Sequence, residues 1–161
     1  MLLDVIDARR PSTGTIMDRI RENRWPAITS PFSTLEIFEA KKADKWAEKL
    51  LAQGMSFFQV QRRLGERRTG RSRLTQKDLE EIYRRLRTKL TPIAEIITFP
   101  EPTSGLLKRA EELGAATNIE ATDIFHLATA LHFGCDILVT SDADFVKMAT
   151  DYIIYRRTRK V

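Results

Sequence analysis

The stretch "ATDIFHLATALHFGCDILVTSDADF", Ala121 to Phe145, limits the possible folds more than any other part of this chain. Its apolar helical pattern stops at Gly134, a residue type that ends helices by taking the left-handed conformation. "DILVTS" then reads as a buried strand, since β-branched and apolar residues follow one another without a polar alternation. "DADFVKMA" reads as a helix and "YIIYR" as a last strand. Strands that alternate with helices over such short links pack as a parallel sheet covered by helices.

The rest of the chain fits the same plan. "MLLDVI" reads as a short strand and "TGTIMDRIREN" as a helix with Ile16, Met17 and Ile20 on its apolar side. "WPAITS" is a strand that ends at the helix-start signal Ser30-Pro31. The next 22 residues, "STLEIFEAKKADKWAEKLLAQG", space Leu35, Phe38, Trp46, Leu50 and Leu51 helically and stop at Gly54. "TQKDLEEIYRRLRTKL" opens with Thr75 and Asp78 in a capping-box spacing and puts Leu79, Ile82, Leu86 and Leu90 on one face. "AEIITF" is a strand stopped by Pro100 and Pro102, and "SGLLKRAEELG" a helix stopped by Gly114. "MSFFQVQRRLGERRTGRSR" is expected to form helix fragments joined by a basic loop around Gly70. No repeat or linker divides the chain, so residues 1–161 are expected to form one domain carrying a basic helical and loop insertion at about 55–90.

With 161 residues, 42% of them hydrophobic, such a domain can bury a sizeable core. No apolar run approaches the roughly 20 residues of a membrane span, and the start lacks the basic and apolar regions of a signal peptide. A soluble, cytoplasmic protein with no membrane partner is the expectation. The single cysteine, Cys135, excludes an intrachain disulfide and a thiol-rich metal site, and it reads as a small buried hydrophobe. The net charge of +5 is unevenly spread. It concentrates in "QVQRRLGERRTGRSRLTQKDLEEIYRRLRTK", Gln59 to Lys89, and in the closing "YRRTRK". Segregated cations suit a polyanion, nucleic acid foremost, with a solvated helix face as the plainer alternative.

Acids mark the strand ends, where parallel sheets bind ligands. Asp142 follows "ILVTS" directly and Asp144 stands two positions beyond it, with only Ala143 between them. Glu36 lies just after "AITS", Asp123 opens the helix before "DILVTS", and Asp4 ends the first strand. Each has a structural reading. Ser33 with Glu36, and Ser141 with Asp144, have capping-box spacing, Thr122-Asp123 can cap its helix, and acids in a first turn suit the helix dipole. Capping does not explain two carboxylates with a single residue between them. Carboxylates gathered in one cleft repel unless a cation neutralises them. Oxygen ligands without a His/Cys set suit Mg²⁺ or Mn²⁺ over zinc. His126, one turn past Asp123, reads as a structural or supporting residue, and His132 as superficial.

The same residues carry a resemblance. "ATDIFHLATALHFGCDILVTSDADF" resembles the C-terminal signature of PIN-domain ribonucleases, in which an Asp opens a "D-x-x-H-L-A-x-A" helix followed by a "C-D-x-L-V-T-x-D-x-D-F" strand and turn. "ITSPFSTLEIFEA" resembles that family's second segment. The resemblance implies a three-layer α/β sandwich with a mostly parallel central sheet flanked by helices. It makes Glu36, Asp123 and Asp142 metal ligands and Asp144 an additional catalytic acid. The implied activity is Mg²⁺- or Mn²⁺-dependent hydrolysis of RNA, as in the VapC-like toxins of toxin–antitoxin pairs, which are commonly homodimers silenced by an antitoxin protein. Arg67, Arg68, Arg71 and Arg73 are the candidates for gripping phosphates. The N-terminus departs from the pattern. Either Asp4 is the family's first acid, with Val5 and Ile6 in place of a small polar pair, or "MLLDVIDARRPST" matches the following segment and strand one with its Asp is missing. The second alignment implies a catalytically weak or inactive module that binds RNA or protein.

Overall fold

A computed structural model describes residues 11–65, 74–140 and 145, with no side chains described for residues 11–13. Among these residues are six helices and one parallel sheet of two strands. In chain order they are α1 (Pro11–Asn23), β1 (Ala27–Ile28), α2 (Ser33–Ala52), α3 (Phe57–Gly65), α4 (Gln76–Ala94), β2 (Ile97–Thr98), α5 (Ser104–Ala116) and α6 (Ala121–His132). The architecture is α/β, rich in helix. Contacts divide the chain into two units, Met1–Phe32 with Ile96–Val161, and Ser33–Glu95.

In the first unit β1 and β2 pair in parallel, Ala27 opposite Ile97 and Ile28 opposite Thr98, and Thr29 N–H extends the ladder to the Thr98 carbonyl at 3.0 Å. Both expected strands form, but each keeps only two residues. Prolines account for this: Pro26 and Pro31 bracket β1 and Pro100 follows β2, and proline has no N–H to give a ladder. Helices α5 and α6 pack on each other. Leu106, Ala110, Ile124 and Ala128 form their buried seam, with Leu113, Ile119 and Phe125 along its edge. Thr103 caps α5 by accepting the Leu106 N–H at 3.2 Å.

The helix α5 does not stop at Gly114; it continues to Ala116 and is capped at Thr117. Gly114 is thus an exposed interior helical residue, and a Cβ there would touch Ile124 Cδ1 at an ordinary 3.5 Å. Gly114→Ala is therefore expected to stabilise the fold by about 0.5–1 kcal/mol. Thermal unfolding of the two proteins checks this.

Three helices end in the same hydrogen-bond pattern. After α2, Met55 N–H reaches the Leu50 carbonyl and Gly54 N–H the Leu51 carbonyl. After α6, Cys135 reaches Ala130 and Gly134 reaches Leu131. This Schellman pattern needs a left-handed residue, which Gly54 (φ 84°) and Gly134 (φ 64°) supply without a Cβ penalty. Both glycine stops expected at these points are present. The third case has no glycine: Arg24 takes φ 50° as α1 ends, with Trp25 N–H on the Ile20 carbonyl.

The second unit is helical. Trp46 and Leu50 of α2 and Val60 of α3 form its small core with Ala47, Met55 and Leu74 around them. The capping box expected at the start of α4 is present. Thr75 accepts the Asp78 N–H, and the Asp78 carboxylate accepts from both the Thr75 N–H and hydroxyl at 2.7 Å. Helix α4 buries Ile82, Leu86, Leu90 and Ile93 and runs through Pro92 to Ala94, four residues beyond the expected end.

Two ion pairs link α2 to α4: Lys49 with Asp78, and Lys45 with Glu81 at 2.8 Å. The Lys49 ammonium and the Thr75 donors hold the Asp78 carboxyl well below its ordinary 3.8. The Lys45 hydrogen bond lowers Glu81, and Glu81 in turn raises Lys45. Depressed acids contribute stability above their unfolded pKa values and lose it as pH falls. The raised lysine contributes below about 10.5 and loses its share above that. Stability is thus expected to decline below about pH 4. Asp78→Asn should flatten that acid limb while also lowering stability at neutral pH, as urea unfolding across pH would show.

Two expectations fail at the end of α6. Residues 137–140 form no strand, and Ile137, Leu138 and Val139 are exposed at 74%, 42% and 41%. A strand exists only by pairing, and the described part of the sheet ends at β1 and β2. Cys135 is exposed rather than buried. Partial screening of its sulfur from water and the neighbouring Asp136 push the thiol pKa up, which makes it a poor nucleophile. The expected strand "MLLDVI", the basic loop around Gly70 and the strand "YIIYR" lie outside the described residues. So does the helix "DADFVKMA" apart from Phe145, which packs against Leu127.

Candidate metal centre

Asp123 stands in the first turn of α6. The helix begins at Ala121 with Glu120 as its N-cap, and the Glu120 side chain makes no capping bond. Asp123 therefore lies inside the first turn, at the third helical position, and not at the cap position itself. The residue is half-buried, and the positive end of the helix dipole favours a negative charge there. On the buried side of α6, Ile124, Leu127 and Ala128 pin the helix. On another, the Phe125 ring lies 4.1 Å from that of Phe32, tilted by 34°. Phe32 follows β1 by four residues, so this ring contact ties α6 to the segment that leaves the carboxyl end of β1. Strand ends of that kind are where an α/β sheet places its ligands.

Glu36 also stands in a first turn, that of α2, and is half-buried. It belongs to the second unit and Asp123 to the first. Asp4, Asp142 and Asp144 lie outside the described residues, as do Arg67, Arg68, Arg71 and Arg73. Among the described residues no group of three or more His, Cys, Asp or Glu side chains could hold a metal ion. The donors themselves suit one: carboxylates at helix starts are hard oxygen ligands of the kind Mg²⁺ or Mn²⁺ takes. His126 is half-buried one turn past Asp123, and His132 is exposed, with Nε2 3.4 Å from the Thr103 hydroxyl.

Asp78 and Glu81 illustrate the opposite fate of acids. Lys49 and Lys45 occupy them, so they hold helices together and are not candidate ligands. Sequence reasoning found the Thr75–Asp78 cap but missed these lysines. The available signal was Lys45 and Lys49 one turn apart on α2, matching Asp78 and Glu81 one turn apart on α4.

Compared with known families, the chain matches the PIN domain over residues 35–151, well over half its length. This chain belongs to the PIN domain family. PIN domains are as a rule nucleases and generally use divalent metal ions. The matched range includes Glu36, Asp123, Asp142 and Asp144 and leaves out Asp4. No curated protein and no solved structure matches the chain significantly. No helix among the described residues is long and apolar enough to cross a membrane.

Proposed function

We propose that this PIN domain is a Mg²⁺- or Mn²⁺-dependent endoribonuclease. The observation that carries the reading is the family match over residues 35–151, which includes the segment where Asp123 stands in the first turn of α6. Glu36, Asp123 and Asp142 would hold the cation, with Asp144 as an auxiliary acid and Asp4 as a further one if its strand takes the first position. When bound, the cation would polarise a phosphate oxygen and lower the pKa of a water molecule. The protein's own part is to hold carboxylates at helix starts on a packed scaffold. Arg67, Arg68, Arg71 and Arg73 would hold the RNA by its phosphates, in contacts that weaken with salt. We extend the reading to a cytoplasmic toxin of a toxin–antitoxin pair, a homodimer silenced by an antitoxin protein.

Calorimetric titration of Mn²⁺ into the parent and into Asp142→Asn tests the metal centre, with circular dichroism confirming that both fold. Binding in the parent that is lost in the variant supports it. A folded parent that binds no metal at millimolar concentration moves the reading to a non-catalytic module for RNA or protein.

A further inference from the structure

Helix α3 is anchored by one residue. Val60 is 2% exposed and packs on Trp46 and Leu50, while every other residue of the helix faces solvent. Phe57 and Phe58 are 69% and 77% exposed, an unusual cost for the two largest apolar side chains of a nine-residue helix. The positions divide into two sides. Phe57 and Leu64 fall beside Val60, three and four residues from it. Phe58 falls on the other side, one turn before Arg62, just as Gln59 falls one turn before Arg63. Met55, Gln59, Arg62 and Arg63 line an open hollow of about 370 Å³ there, large enough for part of a nucleotide.

We propose that this side of α3 is a binding platform for single-stranded nucleic acid, with one base stacked on Phe58 and the adjoining phosphates held by Arg62 and Arg63. The choice of RNA as the strand rests on the ribonuclease reading; the platform itself does not. The chemistry fits on three counts. An exposed ring offers a π-face that any base can stack on. Arginine supplies planar donors that match phosphate oxygens. The Gln59 amide oxygen accepts the Ser56 N–H at 2.8 Å, which holds the side chain in place, and its NH₂ group can donate at a base edge. A protein partner would be expected to use Phe57 and Leu64, which flank Val60 on the apolar side, and would gain little from the arginines.

The test is fluorescence anisotropy of a labelled single-stranded RNA of about twelve nucleotides on the whole chain, in EDTA so that nothing is cleaved. Phe58→Ala is expected to weaken binding by about 5- to 100-fold. Removing both arginines in Arg62→Ala/Arg63→Ala should reduce the salt slope of log K by about 1.4, roughly 0.7 for each phosphate contact. Leu64→Ala should bind within about twofold of the parent, and duplex RNA should compete poorly, since its bases are not free to stack. In a Trp25→Phe background, Trp46 fluorescence confirms that α3 stays seated in each variant, because Trp46 packs on Val60.

A Phe58→Ala protein that binds like the parent, or a duplex that competes as well as the single strand, overturns the platform. So does an unchanged RNA affinity accompanied by lost self-association, which would assign the helix to protein docking. Cleavage assays with Mn²⁺ separate the two readings. RNA binding through Phe58 without cleavage refutes the ribonuclease and leaves the platform standing. Cleavage that survives unchanged in a Phe58→Ala protein with parental affinity refutes the platform alone.

Discussion

Asp123→Asn is expected to leave the fold intact and to lower metal-dependent RNA cleavage by at least 10²- to 10³-fold. The substitution keeps the size and shape of the side chain, so Ile124, Leu127 and the Phe125–Phe32 contact should hold α6 as before. What disappears is a negative charge at a position where the proposed chemistry depends on one. A divalent cation contributes several kcal/mol of charge stabilisation to a phosphodiester transition state, and each 1.36 kcal/mol is a factor of about ten in rate. A capping or dipole role behaves differently. Loss of a first-turn charge costs a few tenths of a kcal/mol to about 1 kcal/mol of stability and has no reason to touch turnover. Single-turnover cleavage of single-stranded RNA, measured beside thermal unfolding, therefore separates the two. A variant that unfolds earlier but cleaves normally would return Asp123 to a structural role. The matching experiment at Asp142 should give the same loss, because both residues are assigned to one cation.

The helix positions of two candidate acids, Asp123 and Glu36, were legible where local geometry decides them. Asp123 is readable because an apolar helix with an acid in its first turn precedes a glycine stop, and α6 and Gly134 take those forms. Glu36 is readable for the same reason at the start of α2. Thr75 with Asp78 is a purely local device, and it appears as expected. Long-range facts were not readable. Lys49 reaches Asp78 across 29 positions, and nothing in either segment alone requires that pairing. The strand "ILVT" fails for a related reason. Its composition favours an extended chain, but strand pairing depends on a neighbour supplied by another part of the sequence. Gly114 misled because a glycine ends a helix only where the chain turns left-handed. At Gly114 the residues that follow continue the helix to Ala116.

Leu106→Ala should destabilise the protein by about 2–5 kcal/mol, a large part of the usual total of about 5–15 kcal/mol and enough to unfold it only where that total lies at the low end. Leu106 is 0% exposed, and it meets Ala110, Ile124 and Ala128 in the seam of α5 and α6. Two of those neighbours are alanines, whose short side chains cannot reach into the space left behind. Helix backbones could close it only by moving together, and Thr103 fixes the start of α5 by its bond to Leu106 N–H. The cavity should therefore stay open, placing the cost toward the upper part of the range. Leu107, one residue on and 42% exposed, provides the control. Leu107→Ala should cost clearly less than Leu106→Ala, since 42% of the Leu107 surface is already in water. The seam also positions Asp123, one residue before Ile124. A Leu106→Ala protein still folded at low temperature should hold that carboxylate less firmly and bind Mn²⁺ more weakly than the parent. Equal metal affinity in the two would show that the first turn of α6 keeps its place without the seam.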